Sequence, residues 1–213
     1  MTRSVPPHVT SPDLLVLHAL RCTGFSGLAS VAAATGLPEA EVESELIDLA
    51  VAGLVTYLAG GFGGWGTTAA GRAEDARRIA EELEAAGTRA VVAEAFDRFL
   101  LLNPEVLDLC TAWQLHSVDG VPTVNDHTDS AYDARVLERF ADLDRRAEAD
   151  CAHLCAAMPR FGRYRVRLAL ALGRARAGEL DQVTDSTASY HSVWFQLHED
   201  LLTTLGLTRT ATR

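Results

Sequence analysis

The stretch LPEAEVESELIDLAVAGLV, Leu37–Val55, decides how this chain is read. Val42, Leu46, Leu49 and Gly53 recur at helical spacing, so one stripe faces inward. The outward positions carry Glu39, Glu41, Ser44, Glu45 and Asp48, and the stretch holds no Arg or Lys. Acids in a first turn favour a helix by complementing its dipole, which accounts for Glu39 and Glu41 but not for the missing bases.

Two short helices are predicted before this one. In SPDLLVLHALR (11–21), Ser11 suits the N-cap, Pro12 the first helical position and Asp13 the first turn. FSGLASVAAATG (25–36) gives a second helix closed by Gly36. After the third, VTYL (55–58) predicts a strand, AGGFGG (59–64) a turn and WGTT (65–68) a returning strand. AAGRAEDARRIAEELEAAG (69–87) is a fourth, highly charged helix. Residues 1–10 read as a loose arm.

Three helices followed by a two-stranded wing resemble the winged-helix regulators of the MarR and PadR type. The resemblance rests on ATGLPEAEVESELIDLAVAGLV (34–55) and on WGTTAAGRA (65–73), which is similar to the LTxxGR that follows the wing in such proteins. It covers residues 11–86 and implies a DNA-reading third helix, with Ser44, Arg72 and Arg77 as the candidate DNA contacts. Base reading favours Arg, Lys, Asn or Gln, yet residues 1–86 hold five Arg against eleven acids. A winged helix turned to protein contact is therefore the alternative.

Composition bears on the same question. The chain has 213 residues, 48% of them hydrophobic, and a formal net charge of −10; its nineteen basic residues are all Arg. An acidic chain must concentrate its cations locally to hold nucleic acid. The N-terminus lacks a signal-peptide pattern and no apolar run reaches membrane-spanning length. The expectation is a cytoplasmic protein, without a membrane partner, whose four cysteines are thiols.

Residues 87–213 are predicted as an all-helical dimerisation, ligand- or partner-binding domain, so the fold class is mainly α with units at 1–86 and 87–213. Helices are expected at 88–103, halted by Asn103-Pro104, and at 104–116, 130–158, 159–178 and 189–206, with 117–129 as a polar loop. In PRFGRYRVRLALALGRARAG (159–178), Arg160, Arg163, Arg167 and Arg174 fall within roughly a 60° arc. Phe161, Tyr164, Leu168, Leu172 and Ala175 adjoin them. Such a stripe suits phosphate or carboxylate, or else ion pairs with Glu138, Asp142 or Asp150 of the preceding helix.

In SYHSVWFQLHEDLLTTLG (189–206), Tyr190, Val193, Trp194, Leu197, Leu201 and Leu205 make an apolar face, widened by Phe195 and Leu202. His191 and His198 lie inside it, while Ser192, Gln196, Asp200 and Thr203 take the other side. The pattern reads as a ligand pocket or as core histidines. Trp113, His127 and Tyr132 join the ligand-binding candidates with Arg160, Arg163, Tyr164, Arg167, Tyr190, His191, Trp194 and His198. Around VNDHTDSAYDAR (124–135), Asn125, Asp126, Asp129 and Arg135 are further polar candidates, although Asp129 or Ser130 can simply cap a helix.

Cys151 and Cys155 fall in or beside the stripe Tyr132, Val136, Phe140, Leu143, Ala147, Leu154 and Met158 and read as buried structural thiols. Cys22 and Cys110 stand singly in apolar helices. No GxGxxG, Walker, HExxH or GxSxG motif occurs, so the leading reading includes no enzyme, cofactor or metal; an enzyme using the His/Asp loop around His127 is the further alternative, and it has no motif behind it. The partners expected are a second copy of the chain, DNA or a protein, and a small anionic or aromatic ligand.

Overall fold

The computed structural model describes residues 9–60, 63–118 and 120–208. Most of the arm at 1–10 and part of the glycine turn, Gly61 and Phe62, lie outside these residues. The N-terminal part runs α1 (Pro12–Thr23), α2 (Leu28–Thr35), α3 (Glu39–Val51), β1 (Val55–Leu58), β2 (Gly64–Thr67) and α4 (Ala69–Ala86). The remainder runs α5 (Arg89–Gln114), β3 (Leu115–Val118), β4 (Val121–Val124), α6 (Ser130–Ala157), α7 (Gly162–Arg176) and α8 (Tyr190–Leu205). Short 3-10 turns at Pro159–Phe161 and Leu180–Gln182 flank α7. Among the described residues no helix is long and apolar enough to cross a membrane.

Two apolar clusters organise these elements. The first gathers Val16, Leu17 and Leu20 of α1, Val31 of α2, Val42, Leu46 and Leu49 of α3, and Val55 of β1. The second takes α5, α6, α7 and α8, and it also includes Leu83 of α4. Thus α4, assigned by sequence to the first unit, contributes Leu83 to the second cluster. Burying one such aliphatic side chain is worth about 1.5–3 kcal/mol, so neither cluster is incidental.

The hairpin β1–β2 pairs Val55 with Thr67 through Leu58 with Gly64. Thr68 then locks it to α4: its Oγ1 accepts from Gly71 N at 3.0 Å and donates to Gly53 O at 2.8 Å. Gly71 is obligatory, because a Cβ there would stand 1.9 Å from Leu54 O. Gly53, expected inward on α3, is exposed beyond the helix end at φ 73°, where the left-handed backbone suits glycine.

Two expectations for the C-terminal half are corrected. The helix expected to stop at Asn103-Pro104 continues through Pro104 to Gln114. Proline forfeits one backbone bond at a cost of ~3 kcal/mol, but Val106, Leu109, Cys110 and Trp113 extend the buried stripe of Val92, Phe96 and Phe99. Their burial offsets the lost bond. The half is also not purely helical, since the expected polar loop begins with an antiparallel hairpin, β3–β4, closed at Val118↔Val121. The overlooked signal is the dipeptide Asp119-Gly120 between alternating residues, a favoured two-residue hairpin turn.

Candidate functional site

The charged centre of the molecule lies between the two clusters. His18, fully buried on α1, directs Nδ1 to Asp75 Oδ1 of α4 at 2.9 Å and Nε2 to Asp200 Oδ1 of α8 at 3.0 Å. Asp200 also pairs with Arg160, accepts from Arg163 Nη2 and Tyr164 Oη at 2.9 Å each, and from Thr204 Oγ1 at 3.0 Å. Arg160 Nε donates to Glu82 Oε2 at 3.1 Å, and Thr10 donates to the same carboxylate's Oε1. One polar network thereby joins α1, α4, α7 and α8.

Electrostatics follow from this geometry. Burial opposes charge on His18, but Cys22, Asp200 and Asp75 outweigh it and raise its pKa well above 6.5. Burial would likewise raise Asp200, yet Arg160, His18 and Arg163 hold it well below the usual carboxylate range. His18 stands as an imidazolium between two carboxylates.

Half of the arginine stripe is therefore not an open cationic surface. Arg160 and Arg163 are buried, and they pair with Asp200 and Glu82 rather than with Glu138, Asp142 or Asp150. Arg167 Nη2 donates to the neutral Gln196 Oε1 at 2.6 Å, and Arg174 is exposed. The physical reason is that α8 is buried on nearly every side, so Asp200 and Gln196, placed by sequence on an open polar face, become interior partners.

Beside this network lies a groove of 740 Å³. Cys22, Phe25, Gly27 and Ser30 wall it on the α1–α2 side; Val166, Arg167, Leu170 and Arg174 of α7 face them, with His191 and Phe195 of α8. Phe25, Val166, Leu170 and Phe195 are exposed apolar side chains. His191, for which a pocket or the core was expected, is half-buried on this wall. Phe195, expected to widen the buried face, is 41% exposed.

The remaining ligand candidates sit elsewhere. Trp194 stacks on Phe99 at 4.6 Å and donates Nε1 to Asn103 Oδ1 at 3.0 Å. His198, half-buried, stacks on Phe99 at 5.1 Å. Tyr190 Oη donates to Asp144 Oδ1 at 3.2 Å. Trp113, His127 and Tyr132 do come together, but as a structural turn: the His127 ring lies tilted against Trp113 at 4.6 Å and faces Asp133 Oδ2 at 3.0 Å, while Tyr132 Oη donates to Ala112 O at 2.7 Å. Asp129 caps α6 by accepting from Tyr132 N at 2.9 Å.

Two of the three DNA-contact candidates, Arg72 and Arg77, are engaged with their own chain. Arg77 pairs with Glu74 and Glu81 at 2.6 Å each, and Arg72 Nη1 donates to Thr67 O at 3.0 Å. Ser44 is exposed on α3 among Glu43, Ile47, Asp48 and Val51, all outward.

His18, Cys22 and Asp200 also place potential ligand atoms within 4.8 Å of one another. A divalent ion there would add charge beside the Arg160 and Arg163 guanidiniums, which already neutralise Asp200. The arrangement suits an ion-pair cluster better than a metal centre. Cys151 and Cys155 are half-buried rather than buried. No known family model, curated protein or solved structure matches the chain.

Proposed function

We propose that this protein is a ligand-responsive regulator, in which a winged-helix-like N-terminal unit is controlled by a small anionic or aromatic molecule held in the groove. The observation that carries this reading is that the groove is walled by both units, with Arg167, Arg174 and His191 set among Phe25, Val166, Leu170 and Phe195. Sites of this kind are mostly apolar with few polar groups that fix orientation. A molecule touching both walls favours the spacing that binds it best and so biases the relation of the two units.

The output surface favours a protein partner over DNA. The outward face of α3 presents Glu43, Asp48, Ile47 and Val51, with Tyr57 and Leu58 of β1 exposed nearby. Phosphates are repelled by such a face, whereas a basic, partly apolar protein surface complements it.

Calorimetric titration with a series of aromatic carboxylates and their neutral amides tests the reading. Carboxylates bind, amides bind at least about tenfold more weakly, and Arg167→Gln with Arg174→Gln removes the difference. If carboxylates and amides bind alike, or neither binds, the reading fails. A gel shift with random duplexes decides the output: retarded DNA at physiological salt would restore DNA as partner.

A further inference from the structure

The groove beside the charged network is chemically lopsided. The chain carries 29 acidic residues and a net charge of −10. Yet among the described residues no Asp or Glu lines this groove, whereas Arg167, Arg174 and His191 do. Arg167 is half-buried, and its hydrogen bond goes to the neutral Gln196 amide at 2.6 Å. Burial lowers its pKa, the direction for a cation taken from water without a counter-charge beside it. Across the groove stands the first turn of α2. Gly27, Ala29 and Ser30 belong to that wall, and Gly27 brings no side chain to cap the helix. The leading N–H groups of a helix have no partner within it and favour an anion.

Gln182 points to a ligand independently of charge. It sits in the short turn after α7, lines the same groove and is 6% exposed. Its Nε2 donates to Asp181 Oδ2 at 3.1 Å, which fixes the two ends of the amide. Oε1 is then buried without a hydrogen-bond partner. Buried acceptors are seldom left open, so this end of the groove calls for an N–H or O–H donor. Arg167 and Arg174 stand two turns apart on α7, about 10 Å along its axis. Gln182 lies past Arg174, in a turn tied to α7 by Glu179 N donating to Arg174 O at 3.0 Å. An anion at Arg167 and a donor at Gln182 therefore belong to opposite ends of one elongated molecule. Between them Phe25, Val166, Leu170 and Phe195 offer exposed apolar surface to a flat ring.

We propose that the groove is a mononucleotide site, in which a phosphate monoester meets Arg167 and the first turn of α2 while an amino-bearing base donates to Gln182 Oε1. A phosphate monoester has three acceptor oxygens and roughly two negative charges at pH 7. It answers a guanidinium and a helix N-terminus together, where a carboxylate has only two oxygens to share. The base supplies both the planar apolar body and, through its exocyclic amine, the donor. A base without that amine leaves the Gln182 oxygen buried and unanswered. This assignment rests on the groove being an anion site, as proposed above, and adds what the far end of the ligand must be.

The test is calorimetric titration of the full chain with three probes: adenosine 5′-monophosphate, adenosine, and the 5′-monophosphate of purine riboside, which lacks only the amine. Adenosine 5′-monophosphate binds. Adenosine binds at least about tenfold more weakly, and the amine-free nucleotide about tenfold more weakly. These comparisons use the native chain, so they hold whatever a substitution does to folding. Gln182→Leu brings the two nucleotides to equal affinity and keeps the preference over adenosine. Arg167→Gln does the reverse, removing most of the phosphate preference and keeping that for the amine. Equal binding of the two nucleotides by the native chain, equal binding of nucleotide and nucleoside, or no binding overturns the inference. If aromatic carboxylates still bind better than their amides in that event, the anion site stands and the nucleotide alone is wrong.

Discussion

His18 Nε2 lies 3.0 Å from Asp200 Oδ1, with both side chains wholly excluded from solvent. The pair joins the first helix of the chain to the last. Asp200→Asn removes the charge that His18, Arg160 and Arg163 share. Stripping one partner from a buried ion pair costs about 3–5 kcal/mol, and urea unfolding monitored by circular dichroism should show a loss of that order. A loss below ~1 kcal/mol would mean the contact is not made.

The same pair sets a pH window. His18 has a folded pKa raised well above 6.5, so its contribution is complete below 6.5 and disappears as pH rises through the folded value. Asp200 is held well below 3.8, so its contribution is present above 3.8 and disappears as pH falls through its folded value. Stability therefore declines on both the alkaline and the acid side. His18→Gln should flatten the alkaline limb in thermal melts recorded from neutral pH upward.

Asp13 offers a milder, more accessible case. A hydrogen bond from Arg78 Nη1 at 2.7 Å is the chief reason its pKa falls to about 2. The sign is that of a stabilising carboxylate, with support present above 3.8 and lost as pH falls toward about 2. Both side chains are partly exposed, so solvent screens much of the effect. Arg78→Gln should move the Asp13 carboxyl titration, followed by NMR, back toward the ordinary value of about 3.9.

Two glycines should respond in opposite directions. Gly71→Ala drives a Cβ into Leu54 O, and should cost at least ~2 kcal/mol because backbone must move. Gly173 sits on the exposed side of α7 with nothing within 4 Å of an added Cβ. Gly173→Ala should stabilise by about 0.5–1 kcal/mol through helix propensity. Denaturation midpoints of the two variants check both signs.

Pro104→Ala should raise stability by on the order of 1–2 kcal/mol. It restores the helix bond that proline lacks, less the unfolded-state entropy that proline removes. An unchanged midpoint would show that α5 has adapted fully to the proline.

The helices of the N-terminal half are legible because their ends carry local chemistry: Gly36 in a left-handed cap and Pro12 at the start of α1, whereas Thr68, which reads as strand, is the cap of α4. Ser11 takes the predicted position, although its hydroxyl turns to Asp13 instead of the backbone. The groove's Arg167 and His191 were also named from sequence. His18 was not, because among Leu14, Leu17 and Leu20 it reads as one more core position. On its own helical wheel Asp200 falls on the polar side, because the wheel knows only one helix. Which carboxylate meets which cation across α1, α4, α7 and α8 is settled by long-range packing, and no local period carries that information. Pro104 and the β3–β4 hairpin show the same limit, in that burial overrides the local rule at Pro104, and the pairing of β3 with β4 lies in a stretch that reads as a polar loop.

The seam built by Thr10, His18, Asp75, Glu82, Arg160 and Asp200 has a calorimetric consequence. Two apolar cores would ordinarily permit two separate heat-absorption peaks. Here neither core can open alone without breaking the buried ion pairs that cross the seam, and stripping one partner from such a pair costs about 3–5 kcal/mol. An intermediate with one half unfolded should therefore be poorly populated, and the chain should melt as a single cooperative body whose van't Hoff and calorimetric enthalpies agree.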